Sequence, residues 1–302
     1  MPKSWRFLPL LWLSLSLPPS VASAANYLVG IGDDCLAGGV CFSPSPLAIR
    51  VGDTVRFFVY YSNDFHGDHN VVADDGSFRC ARGCDGEGGN GSPNSSSWSF
   101  SRTFDTPGIV AYHDETSNLK GLLVVQEAGT PDELQTAYEF IYGFSQERLP
   151  VNSFFVTADA DEASNISGGR WHYTLETFLA WKGPAGGALP TCRFLDTQYG
   201  SHFFSPYAGE CSALQQQPRW LYEGIAFYLK LPDAGGNCPL GTNALYRLYN
   251  QSAHTPPHFP NGRADVPLHR YTTSVATVAR MRAAGWITEG DERTSTFACV
   301  LF

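Results

Sequence analysis

Three stretches in the second half of the chain repeat one order of residues, and this recurrence limits the fold more than any other feature. Asn152-Ser-Phe-Phe-Val-Thr leads to Trp171, Ser201-His-Phe-Phe-Ser-Pro to Trp220, and Leu268-His-Arg-Tyr-Thr-Thr to Trp286. Phe155 to Trp171 and Phe204 to Trp220 each span 16 residues, and Tyr271 to Trp286 spans 15. A short strand-like run precedes each stretch: Tyr138-Glu-Phe, Cys192-Arg-Phe and Tyr246-Arg-Leu. The last two close alike, in Trp220-Leu-Tyr-Glu-Gly and Trp286-Ile-Thr-Glu-Gly, whereas the first closes in Trp171-His-Tyr-Thr-Leu-Glu. A unit of about 40 residues cannot bury an apolar face alone, so like units must share a core. The expectation for residues 137–302 is an α+β module of three internal repeats, each a short strand, an aromatic strand, a helix and a closing strand.

The first half reads differently. Asn26 to Gly32 is one strand-like run, and Pro46 to Tyr61 is two runs joined by the turn signal Gly52-Asp53. Trp98 to Phe104 alternates with period two, as a half-buried strand does. Pro107-Gly108 marks a turn before Ile109–His113, and Gly121 to Gln126 closes the half. No amphipathic helix is visible. Short strands between turns predict an all-β Greek-key sandwich over residues 25–127. Residues 83–97 are polar and rich in Gly and Ser, which cannot build core; they read as a flexible surface excursion or a binding loop. Residues 128–136, containing Ala128-Gly-Thr-Pro-Asp132, read as a linker.

Residues 1–24 read as a secretory signal peptide. Lys3 and Arg6 precede an apolar stretch from Phe7 to Leu17, and Ala22-Ser-Ala24 is a small-x-small cleavage site. A membrane span needs about 20 apolar residues, and no later segment reaches that. All eight cysteines follow the cut, and an even number in an exported chain predicts disulfides. Spacing groups them as Cys35–Cys41, Cys80–Cys84, Cys192–Cys211 and Cys238–Cys299. A zinc ribbon is the rival reading, but the four N-terminal cysteines lack paired C-x2-C knuckles. The expected location is secreted or periplasmic. With 20 Lys and Arg against 29 Asp and Glu, the chain lacks the basic surface a nucleic-acid binder needs.

Phe42-Ser-Pro-Ser-Pro-Leu, Val51-Gly-Asp-Thr-Val, Phe65-His-Gly-Asp-His-Asn-Val-Val, Phe104-Asp-Thr-Pro-Gly and Ala111-Tyr-His stand in the order found in cupredoxins. On these residues the first half resembles a plastocyanin-like domain. Ser201-His-Phe-Phe, Tyr222-Glu-Gly-Ile-Ala-Phe-Tyr, Tyr246-Arg-Leu-Tyr-Asn and His269-Arg-Tyr-Thr-Thr make residues 137–300 resemble a DUF5648 module of exported bacterial proteins, which brings no activity with it.

The cupredoxin resemblance implies a type 1 copper site of two imidazoles, a thiolate and a weak axial Met. His69-Asn70-Val71 matches the context of the first imidazole. The later loop reads Tyr112-His-Asp-Glu-Thr-Ser-Asn-Leu-Lys-Gly121, with Asp114 where the Cys is expected and Ser117 where the second His is expected. Met1 and Met281 are the only methionines, and neither lies there. What remains is a harder donor set, His66, His69 and Asp114, suited to Cu(II) or Zn(II) if it binds metal. Neighbouring strand residues point to opposite faces, so one register brings Asp114 to His69 and turns His113 away, and the other exchanges them. The plain reading leaves His69 hydrogen-bonded, Asp114 solvated and no cofactor required.

Other chemistry has little support. Gly-x-Ser-x-Gly, His-Glu-x-x-His and a Walker loop do not occur. Asp161, Glu162, Glu176, Glu210, Glu223 and Glu289 recur in the repeats, but Glu223 and Glu289 hold the same place in two copies, which fits pairing with Arg193 or Arg247. Trp171, Trp220 and Trp286 read as shared core rather than sugar platforms. His254 and His258 lie in a Pro-rich insertion and read as solvent-facing. The expectation is a non-enzymatic binding or interaction protein whose repeat module meets a cell-surface glycan or a protein. The alternative is a periplasmic copper-binding or electron-transfer protein with an altered, non-blue site.

Overall fold

The structure is a computed structural model that describes residues 24–32, 40–59, 67–130, 132–142, 153–166, 170–250 and 267–301. Residues 1–23 of the stretch read as a signal peptide lie outside them, as do Cys35, His66, His254 and His258. The fold is mostly β-sheet, with three short α-helices among the described residues.

The first ten strands are β1 (Asn26–Gly32), β2 (Cys41–Ser43), β3 (Leu47–Arg50), β4 (Thr54–Val59), β5 (Val71–Ala73), β6 (Arg79–Ala81), β7 (Gly83–Cys84), β8 (Trp98–Thr103), β9 (Gly108–His113) and β10 (Lys120–Gln126). They form two sheets, ordered β2-β1-β4-β8 and β3-β10-β9-β5-β6-β7. Val29, Ile31, Val55 and Phe57 from one sheet meet Leu47, Ile49, Tyr112 and Leu123 from the other in a single core. The period-two pattern read in Trp98–Phe104 holds in β8, where Trp98 is buried and Phe100 half-buried while Ser99, Ser101 and Thr103 are exposed; β4 alternates as well, with Val55, Phe57 and Val59 buried and Thr54, Arg56 and Phe58 between them not. The Gly52-Asp53 turn joins strands in opposite sheets. Gly52 sits at φ 89°, a left-handed conformation that glycine adopts without steric penalty. The buried Asp53 carboxylate accepts from the Ala25 N–H at 2.7 Å and the Arg50 N–H at 2.8 Å, which locks the turn.

The second half adds β11 (Leu134–Tyr142), β12 (Phe154–Thr157), α1 (Ala160–Ile166), β13 (Trp171–Trp181), β14 (Leu189–Asp196), β15 (His202–Ser205), α2 (Ala208–Gln215), β16 (Trp220–Leu229), β17 (Asn243–Tyr249), β18 (His269–Thr272), α3 (Val275–Ala283), β19 (Ile287–Glu289) and β20 (Ala298–Val300). The order strand, strand, helix, strand occurs three times. Each opening strand, β11, β14 or β17, pairs antiparallel with both the strand after it and the closing strand. Phe155, Phe204 and Tyr271, one from each second strand, meet in one core with Phe178, Phe227 and Phe297. Phe204 links the other two, 6.3 Å from Phe155 and 5.4 Å from Tyr271 between ring centroids. Trp286 is buried, but Trp171 and Trp220 are only half-buried and pack on the edges of their clusters.

Disulfides join Cys80–Cys84, Cys192–Cys211 and Cys238–Cys299, as the spacing predicts. The fourth predicted pair includes Cys35, outside the described residues. β11 begins at Leu134, so the end of the stretch read as linker is strand. The two halves are fastened across this seam. The Ala48 N–H donates to Thr136 Oγ1 at 2.9 Å, Thr177 Oγ1 donates to the Pro46 carbonyl, and Arg50 pairs with Glu133 at 2.6 Å. Among the described residues no helix is long and apolar enough to cross a membrane.

Candidate functional site

The histidine singled out by sequence precedes β5, and the loop after β9 meets it. β9 pairs antiparallel with β5, Val72 facing His113, so Asp114 and Glu115 arrive beside His69 and Asn70. His69 Nδ1 lies 2.9 Å from Asp114 Oδ2, and Asp114 Oδ1 accepts the Asn70 N–H at 2.9 Å. Next to them Asn70 donates to Glu115 Oε2 at 2.6 Å and accepts the Glu115 N–H at 3.0 Å. Two adjacent residues on each segment therefore clasp each other. Arg79 holds Glu115 from outside at 2.7 Å and keeps its carboxyl below the usual range.

The pairing of β9 with β5 decides between the two registers. Asp114 points inward, and His113 points away, its Nδ1 2.6 Å from Asp74 at the surface. His113 is thus separated from His69, correcting its place among the candidate ligands. Asp114 is also not solvated, being 1% exposed. Its Oδ2 accepts from His69, from the Thr116 hydroxyl at 3.0 Å and from the Ser117 hydroxyl. Burial pushes this carboxyl up, but His69, Ser117, the Asn70 N–H and Thr116 together outweigh that and hold it below the usual range.

The positions that the resemblance aligns with copper ligands, His69, Asp114 and Ser117, do converge. They converge as a hydrogen-bonded network. Of the roughly four acceptor positions of a carboxylate, the Asn70 N–H uses one on Asp114 Oδ1, while His69 and Ser117 donate to Oδ2 and the Thr116 hydroxyl lies between Oδ2 and the Asp68 carbonyl. The donors present are one imidazole, one carboxylate and one hydroxyl, without the thiolate that defines a blue-copper centre. They do not fit that centre. Among the described residues no group of three or more His, Cys, Asp or Glu side chains converges on a metal-sized point.

The polar loop at 83–97 is tied down beside this network, against the expectation of a flexible excursion. The Cys80–Cys84 disulfide anchors its start. Asp85 accepts the Gly91 N–H, the Gly91 carbonyl accepts from Asn70, and Asn94 exchanges backbone hydrogen bonds with His69. Trp98 Nε1 then donates to the His69 carbonyl at 3.1 Å. Composition alone concealed this, because the loop is held by backbone and Asx hydrogen bonds rather than apolar packing.

In the second half the recurrent charges form interlocked clusters. Arg193 meets Glu162 at 2.7 Å and Glu223 at 3.0 Å, with His202 3.4 Å from Glu223. Arg247 meets Glu210 at 2.8 Å and Glu289 at 3.0 Å, with His269 3.2 Å from Glu289. The strand acids therefore pair with the arginines as predicted. The helix acids Glu162 and Glu210 reach forward to the next opening strand. Burial is the first cause lowering both histidines, His202 to about 4, so both are neutral near pH 7 and accept no proton from the acids facing them. Arg270 and Glu139, each 2% exposed, pair through contacts of 2.8 and 2.9 Å. This pair links the last segment to the first and was missed, because the two residues are 131 positions apart.

No curated protein matches the chain. Similar solved structures are cupredoxins. A mutant plastocyanin of a fern is 24% identical over 32% of this chain and 98% of its own, with a TM-score of 0.24. A reduced mutant amicyanin is 23% identical over 35% and 86%, with a TM-score of 0.23. A pseudoazurin from Sinorhizobium is 24% identical over 35% and 76%, also at 0.23. Residues 150–292 match the family described as a domain of unknown function, DUF5648.

Proposed function

We propose that the chain is an exported, non-enzymatic binding protein. Residues 25–127 are its sandwich domain, a scaffold in which a carboxylate network stands where a redox metal would sit. Residues from 137 onward are its recognition module, built of three copies of one unit. The buried, hydrogen-bonded Asp114 carboxylate carries this reading. Its Oδ2, the oxygen beside His69, already accepts from His69 and Ser117, so a metal between His69 and Asp114 would have to displace a protein donor and leave it unpaired at a cost of about 1–3 kcal/mol.

The three-copy reading rests on equivalent contacts. Arg193 and Arg247 occupy one place in the opening strand, and each pairs with the third residue of the preceding helix. At the remaining junction the polarity reverses. Glu139 stands where those arginines stand, and Arg270 of the third segment reaches it. Thr277, the third residue of α3, donates to Glu176 at 2.7 Å. Three like units joined head to tail, with the last returning to the first, account for all three junctions. The even number of cysteines and the three disulfides support export to an oxidising compartment.

Copper titration of the purified full chain tests the scaffold reading. We expect no intense blue absorption and no stoichiometric uptake of Cu(II) or Zn(II). One tightly bound copper per chain, lost on His69→Ala, would replace this reading with a metal-handling one using His69, Asp114 and His66.

A further inference from the structure

We propose that the cleft along the seam between the halves binds a short neutral oligosaccharide. The proposal rests on the reading of the chain as a binding protein and names its ligand class and place. The cleft has a volume of about 420 Å³, within the range of small-molecule sites and roomy enough for a few sugar rings. The sandwich contributes Tyr27 and Arg50, β11 contributes Gln135 and Tyr138, and Asp161 and Lys182 of the module complete the lining on that side. Small side chains, among them Ala48 and Ala226, leave the space open.

Three features select the ligand. The walls are fixed before anything binds, so little ordering is needed on association. Gln126 and Leu134 exchange two hydrogen bonds across the seam, Ala48 donates to Thr136, and Arg50 and Lys182 both hold Glu133. The lining also mixes phenol, amide, carboxylate and cation, offering donors and acceptors together. That suits a polyhydroxylated ligand better than a lipid or an apolar peptide. Finally, charges of both signs line the cleft and the Glu133 pairs neutralise much of its positive side, so it does not select a strongly charged ligand. Burial pushes the phenols of Tyr27 and Tyr138 up, so both keep their proton and can donate to a sugar oxygen.

Calorimetric titration of the full chain with maltotriose, cellotriose and triacetylchitotriose tests the proposal. At least one should bind saturably, and Asp161→Ala and Gln135→Ala should each weaken it by about tenfold with unchanged melting. Binding that both variants leave unaltered overturns the assignment to this cleft. No binding of any of the three, or preference for inorganic phosphate lost on Lys182→Ala, overturns the ligand class. Copper uptake at His69 in a chain that still binds sugar at the cleft would sink the scaffold reading and leave this one standing.

Discussion

Replacing Glu139 by Gln removes the carboxylate from a cation that cannot escape its charge. Arg270 is 2% exposed and receives two contacts from Glu139, at 2.8 and 2.9 Å; its other acid, Glu176, lies 3.3 Å away. A guanidinium does not lose its proton inside a protein, so Glu139→Gln leaves a buried positive charge with one acid in place of two. Breaking a buried pair from one side costs about 3–5 kcal/mol, a large part of the roughly 5–15 kcal/mol that holds a domain together. The opposite substitution is milder. Arg270→Met leaves a carboxyl that can take up a proton. Burial is the largest influence on Glu139 and raises it to about 7 even with Arg270 present. The variant therefore loses the hydrogen bonds and the contact of Arg270 with the Phe154 ring, about 1–3 kcal/mol below neutral pH. A carboxyl raised in the folded state favours folding below its unfolded value, and that advantage disappears as pH rises through the folded value. The Arg270→Met variant should thus weaken further between pH 5 and 8. Urea unfolding of both variants at pH 5 and 8 measures this. Equal losses at both pH values for Arg270→Met, or a loss under about 1 kcal/mol at pH 8 for Glu139→Gln, would refute the argument that this pair holds the first and last segments together.

The remaining predictions concern the sandwich and the pH profile. Asp114→Ala should destabilise the chain by about 2–4 kcal/mol, since it strands the Asn70 N–H, the Ser117 hydroxyl and His69; thermal melting reads the loss. Gly121→Ala should be worse than an ordinary strand substitution. A Cβ there would lie 2.1 Å from ring carbons of Tyr112, and overpacking costs about 1–3 kcal/mol or more, visible as a lower melting temperature. Below about pH 4.5 the chain should lose stability on acidification. Asp114, Glu133, Glu210 and Glu289 are depressed in the fold, so their stabilisation is present above their unfolded values and lost as pH falls below about 4.5. His202 and His269 are depressed as well, and their contribution starts to fall below about 6.5. Glu139, raised to about 7, acts in the opposite sense between about pH 7 and 4.5 and adds no further change below that range. A melting temperature that rises as pH falls below about 4.5 would contradict this sign.

Alternation of side chains made the strands of the first half legible, because a buried face imposes period two wherever it occurs. The Arg193–Glu223 and Arg247–Glu289 pairs were legible for a related reason: matching motifs, Trp220-Leu-Tyr-Glu and Trp286-Ile-Thr-Glu after an opening strand that carries an arginine, put the same atoms together twice. The helix acids were not. Glu162 and Glu210 belong by sequence to one segment and by contact to the next, and nothing local says which arginine a helix end will face. The polarity reversal at Glu139 hid the third junction, since a search for matching residues passes over a swapped pair.

At the candidate site the division is sharpest. The chain alone determined that an oxygen stands where sulfur would be needed and that His113 and Asp114 must face opposite ways. Only the tertiary structure decided which of those two side chains turns inward, that the inward one is buried in a hydrogen-bonded network, which cysteines join, and that the polar loop is pinned beside the network. Local covalent geometry sets the alternation of a strand, but the face that is buried depends on partners more than forty positions away, and those meet only when the sheets have assembled.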